Sequence, residues 1–187
     1  MERWGERYSG PAIGLHWIIF ALVCCGWGLG MFVSELPFSP QKLRYISWHK
    51  WIGVTVFMLA VVRITWRLYR PAPPFPESMA AWQRQAARIV HLVLYVMLLV
   101  IPLTGWLYSS AAGVPTVWLG LVQLPDLLQK DKSLADTLRL IHASLNWTLL
   151  VLVLGHAAYA LKHHFIERDD VLARMIPLLG RRTRSEP

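Results

Sequence analysis

Four long stretches of this sequence carry almost no charge, and they constrain the fold more than any other feature. They lie at about 15–33, 47–68, 89–108 and 140–161. A helix needs roughly 20 mostly apolar residues to cross the hydrocarbon core of a bilayer. The first has no charged residue between Arg7 and Glu35, and the fourth has none from Leu140 to Leu161. The first contains Trp, Gly and His and is followed by no small-residue cleavage site, so it reads as a retained span. The second is charge-free only from Trp51 to Val62. Arg63 and Arg67 must therefore snorkel or face a polar partner inside the bundle. The third contains Pro102, which is tolerated in lipid where neighbours satisfy the freed backbone. Hydrophobic residues make up 55% of the 187 residues and charged residues 16%. A chain this short and apolar cannot hide that surface in a water-soluble core, and it is too apolar to be disordered. The expectation is one membrane domain over 1–187, an all-α four-helix bundle embedded in lipid.

The charges that remain are mostly basic, with a net charge of +8. Thirteen Lys and Arg fall on the side of the N-terminus, the second connection and the C-terminal tail: Arg3, Arg7, Arg63, Arg67, Arg70, Arg84, Arg88, Lys162, Arg168, Arg174, Arg181, Arg182 and Arg184. The other two loops carry six: Lys42, Arg44, Lys50, Lys130, Lys132 and Arg139. Glu35, Asp126, Asp131 and Asp136 share those loops and leave them a net charge of +2. The asymmetry places both termini in the cytoplasm, and in a bacterium the other loops in the periplasm. The basic excess is then topology, and a nucleic-acid partner is not expected. Pro71 to Pro76 reads as a stiff linker. The segment from Ala111 to Asp136 reads as a long loop whose piece Val117 to Val122 lies in the membrane interface. Cys24 and Cys25 are adjacent in an apolar run and suggest no disulfide framework.

Seven histidines lie in or beside the expected helices, and an ionisable residue at membrane depth is a functional candidate. Antiparallel helices sort them by depth. His49 and His142 fall toward the periplasmic side. His156 falls toward the cytoplasmic side, with His16 and His91 as candidate partners. His142 and His156 are 14 positions apart, which is about 21 Å and nearly four whole turns, so both face nearly the same way. Two levels of paired imidazoles suit two stacked haems, each with an axial ligand from facing helices. Zinc is less suited, because the residues occupy separate levels and no Cys or carboxylate joins them. Gly53, four residues after His49, and Gly155, beside His156, are consistent with close approach to a flat group. So are Gly26, Gly28 and Gly30, though small residues also serve ordinary helix packing. Most of the ten Trp read as an interfacial belt, and Trp17, beside His16, is a candidate for lining a site.

Several blocks resemble the prokaryotic cytochrome b561 family of four-helix di-haem membrane proteins. They are Leu15-His16-Trp17, His49 with Gly53, Arg63 to Arg67, His91 to Tyr95 and Pro102 to Gly105. The last block is the most specific: His142, Leu154 to Ala158, His163-His164-Phe165, Arg168 to Asp170 and Leu172 to Pro177. The resemblance covers nearly the whole chain. It implies two b haems, one with axial ligands His16 and His156, the other with His49 and His142, and so favours His16 over His91.

The family includes a superoxide:ubiquinone oxidoreductase. The resemblance therefore implies oxidation of superoxide at the periplasmic side and delivery of electrons to ubiquinone near the cytoplasmic side of a bacterial inner membrane. Loop cations can steer an anion electrostatically. A quinone needs an apolar slot with a few polar groups and a proton donor, and His163, with His164 and Trp17 at similar depth, is the candidate quinone site. Two other readings are carried. One is a di-haem electron-transfer subunit of a larger dehydrogenase or hydrogenase, which needs a redox partner protein. The other is a haem-free membrane protein with packing histidines.

Overall fold

A computed structural model of the chain describes residues 7–76, 79–176 and 179. Arg3, Arg181, Arg182 and Arg184, counted above, and Pro177 of the final block lie outside the described residues. The chain folds into four long helices: α1 (Gly10–Glu35), α2 (Pro40–Tyr69), α3 (Ala81–Ala111) and α4 (Lys132–Lys162). They hold 26, 30, 31 and 31 residues. At 1.5 Å per residue each is about 39 Å or longer, more than the roughly 30 Å of a bilayer's hydrocarbon core. All four are apolar enough to span it.

Local chemistry sets the helix starts. Ser39 accepts a hydrogen bond from Lys42 N at 3.2 Å, with Pro40 opening α2. Asp131 accepts from Leu134 N at 3.0 Å at the start of α4. Each satisfies an amide that the helix itself cannot. Pro102 sits inside α3 without ending it. Phe32, Val62, Leu92, Val151 and Leu154 face outward. In water that would be a fault, and in lipid it is the favourable arrangement.

Consecutive helices pack against one another: α1 on α2, α2 on α3, α3 on α4. Helix α4 meets α1 and α2 mainly through long side chains. Trp27 and Trp147 stack edge-on at 5.4 Å between α1 and α4, and histidine pairs bridge the same gap. This spacing leaves room within the bundle.

The segment expected as one long loop is shorter and partly ordered. Helix α4 begins at Lys132, so Lys132, Asp136 and Arg139 are helical. Within the loop, β1 (Val117–Trp118) pairs antiparallel with β2 (Val122–Gln123). Leu119 and Gly120 make the turn with φ of 53° and 72°. Side chains of α2 pin this hairpin. Trp51 Nε1 donates to Val117 O at 2.7 Å, and Lys50 Nζ donates to Val114 O and Pro115 O at 3.1 and 3.2 Å. Trp118 Nε1 returns a bond to Thr55 Oγ1 at 3.2 Å. The loop is thus anchored over the end of α2 that carries His49.

Candidate functional site

The histidines occupy three levels. At the first, His49 on α2 faces His142 on α4, with ring centres 6.1 Å apart and planes at 85°. His49 Nδ1 donates to Gly26 O at 2.9 Å, and His142 Nδ1 donates to Ile101 O at 3.1 Å, with Thr104 Oγ1 at 3.2 Å. A carbonyl can only accept, so the proton of each neutral ring sits on Nδ1 and Nε2 keeps its lone pair. This is the tautomer of an imidazole ready to bind a metal, with the orienting bond a ligand needs.

Glycines make room for both rings. A Cβ on Gly30 would stand 3.0 Å from His49 Cε1, and one on Gly105 would stand 3.0 Å from His142 Cε1. Gly53 and Gly155 have no such contact; a Cβ there would meet open space. Close approach to the imidazoles therefore falls to Gly30 and Gly105, while Gly53 borders the space between the helices. That space is a mostly apolar cleft, bordered by His49, His142, Gly53, Val56, Leu98 and Asn146 among others.

At the second level three imidazoles meet. His16 on α1 and His156 on α4 have ring centres 6.4 Å apart. His91 on α3 lies 5.2 Å from His156. Trp17 packs edge-on against His16 at 5.1 Å. The structure thus brings together both pairs expected from the sequence.

The third level is His163. Helix α4 passes into a π-helical turn over His163–Glu167, closed by Arg168 in the left-handed region. Such turns are rare and frequently mark functional sites. His163 is fully buried. Its Nδ1 lies 2.5 Å from Asp169 Oδ2 and 2.8 Å from Glu167 Oε2. Lys162 Nζ donates to Glu167 Oε1 at 2.7 Å. The sequence offers no Cys or carboxylate that joins the histidine levels, but at His163 itself the π turn brings two carboxylates from the following residues. The His163–Glu167 spacing of four was a visible signal for one of them. The other depends on Arg168 reversing the chain.

The opposite edge of the His163 ring is unsatisfied. Nε2 is buried and has no hydrogen-bond partner among the described residues, and neither has the buried hydroxyl of Tyr159, whose ring centre is 4.5 Å away. Trp17 does not reach His163 by any hydrogen bond. Its Nε1 donates to Met175 O at 2.9 Å, which ties the segment after the π turn to α1 near His16. His164 packs against Phe165 at 4.9 Å, away from this cluster.

The family described as prokaryotic cytochrome b561 matches residues 7–178. Cytochrome b561 homolog 2 of Escherichia coli (strain K12) is 36% identical over 178 residues, covering 91% of this chain and 92% of its own. The probable superoxide oxidase CybB of Yersinia pestis is 31% identical over 177 residues, covering 92% and 97%. Cytochrome b561 homolog 1 of Escherichia coli (strain K12) is 29% identical over 173 residues, covering 92% and 98%. With its four membrane-spanning helices, the chain belongs to the prokaryotic cytochrome b561 family, as a multi-pass protein of the bacterial inner membrane.

Proposed function

We propose that this member of a family of haem b-binding, membrane-bound electron-transfer proteins is a superoxide:ubiquinone oxidoreductase that carries two b haems, one between His49 and His142 and one between His16 and His156. Both termini are cytoplasmic in this reading, which rests on the side of the membrane that holds most of the Lys and Arg.

The observation that carries it is the separation of the two imidazole pairs. Two imidazoles on opposite sides of one metal, each bonded at about 2 Å through a ring nitrogen, have ring centres about 6 Å apart or slightly more. The pairs at 6.1 and 6.4 Å meet this requirement, while the His91–His156 separation of 5.2 Å is short. The Nδ1 bonds to Gly26 and Ile101 carbonyls leave Nε2 available at the first level. The wide contact of α4 with α1 and α2 leaves space for a flat group.

Bound haem iron supplies one-electron oxidation and reduction. Two superoxide anions give two O2 and two electrons, and one quinone takes those electrons and two protons to become quinol. The relative named as a probable superoxide oxidase supports superoxide as the donor. Lys50, held beside His49 by the Val114 and Pro115 carbonyls, adds a fixed positive charge at the face where an anion arrives. At the other face, His163 Nε2 and the Tyr159 hydroxyl are buried polar atoms that no described residue satisfies, which costs about 1–3 kcal/mol each. A quinone carbonyl can satisfy them. Two carboxylates hold the ring at Nδ1, and Glu167 is the more exposed of the two, at 29% against 13%. A proton can enter through it.

The test is an absorption spectrum and haem assay of the purified protein. The expected result is Soret and α bands with two haem b per chain. A preparation that folds, by circular dichroism, yet shows no Soret band contradicts the proposal.

A further inference from the structure

Arg63 is a buried charge that the histidine levels leave unexplained. It is 8% exposed and lies seven residues before the C-cap of α2 at Arg70, about 10 Å inside the end of the helix. Its Nη1 donates to the Ala12 carbonyl, one turn before His16 on α1. Its guanidinium carbon is 6.0 Å from the centre of the Tyr95 ring, and that of Arg67, one turn further out, is 5.6 Å from the same ring. Arg63, Arg67, Arg70, Tyr8, Trp66 and Tyr95 border a small cleft with no acidic residue in its lining. Among the described residues, no carboxylate forms an ion pair with Arg63 or Arg67.

This arrangement is expensive as it stands. A guanidinium out of water needs a counter-charge, and two of them sharing one ring repel each other. One carbonyl and one aromatic face do not neutralise two cations. Among the described residues no carboxylate supplies the anion, and an anion that pairs with both has to sit at the edge of the His16–His156 level.

We propose that Arg63 and Arg67, with Tyr95 beneath them, form a carboxylate cradle for the propionate groups of the haem held by His16 and His156. This rests on the haem assignment proposed above. The forked guanidinium matches a carboxylate in two parallel hydrogen bonds. A depth of about 10 Å favours a carboxylate carried on a buried cofactor over the phosphate of a lipid at the bilayer surface. Arg70, nearer the end of the helix, continues the positive lining outward.

The test is a redox titration of the haem bands of the purified holoprotein, with bound phospholipid measured in the same samples. A cation beside ionised propionates favours the reduced, less positive iron, so its removal favours the oxidised state. Arg63→Gln and Arg67→Gln are each expected to shift one of two midpoints downward by about tenfold in the redox equilibrium, about 59 mV for a one-electron couple. The other midpoint stays in place. Arg63→Lys is expected to restore the midpoint in part but not the carboxylate bands of the redox-induced infrared difference spectrum, because an ammonium lacks the fork. Arg67→Gln, at a less buried position, carries the test if Arg63→Gln does not fold.

Loss of anionic phospholipid with both midpoints unmoved would overturn the proposal in favour of a lipid phosphate. So would full recovery of midpoint and carboxylate bands in Arg63→Lys, which would show a general charge effect. A wild-type protein without two haem components fails the haem assignment itself, and is told apart by that.

Discussion

His49→Ala and His142→Ala are each expected to reduce the haem content from two per chain to one. These are the only described histidines at their level, so neither has a substitute. Removing one also strands the other: its Nε2 is left in a mostly apolar cleft with no partner, at about 1–3 kcal/mol. The surviving haem is expected to keep the spectrum of an iron with two imidazole ligands, because His16 and His156 are about 21 Å away along the helices. Pyridine haemochrome assay and low-temperature electron paramagnetic resonance give the count and the ligation. Two such haems in either variant would refute the pairing. His91→Ala is the matched control and is expected to keep both haems. His16→Ala is a less clean experiment, because His91 already stands 5.2 Å from His156.

His163→Ala is expected to slow quinone reduction by about 10²- to 10⁴-fold, the usual contribution of a positioned proton donor. The reduction of haem by superoxide is expected to change little, since the proposed site for it is at the opposite face. The residue is fully buried, so the change also leaves a cavity, and thermal unfolding should be followed beside the kinetics. Asp169→Asn separates the two effects. It keeps the size of the side chain and leaves the imidazole in place, but it removes a charge 2.5 Å from Nδ1. It should slow quinone reduction through loss of the charged partner that orients the ring at Nδ1, without opening a cavity. Equal slowing of both half-reactions would count against a role for His163 in quinone reduction.

The parts of this structure that depend on composition and period were readable in the sequence. The four charge-poor stretches are helices because lipid leaves the backbone few other options. Depth followed from counting along those helices, and it paired His49 with His142. Depth could not choose between His16 and His91, which both reach His156. The family resemblance favours His16, and the ring separations of 6.4 Å for His16 and 5.2 Å for His91 support the same choice. The glycines show the same limit. Gly53 shares a helix face with His49, so periodicity pointed to it, but the glycines against the two imidazoles are Gly30 on α1 and Gly105 on α3. Those contacts are tertiary. The hairpin after α3 has strands of two residues, too short for an alternating pattern, and a turn that places Leu119 at a positive φ. The acid cluster at His163 depends on a π turn that no local propensity announces.

The central claim is that one protein takes electrons from superoxide and gives them to a quinone. Stopped-flow mixing of the oxidised, detergent-purified protein with superoxide, followed by a soluble ubiquinone analogue, tests it most directly. The account predicts fast reduction of the haem bands that slows as salt is added, as expected for an anion guided by a small positive excess, and then reoxidation when the quinone arrives. Haem bands that stay oxidised in superoxide, and are reduced only when a stoichiometric protein partner is supplied, would contradict it and identify the chain as a subunit of a larger complex.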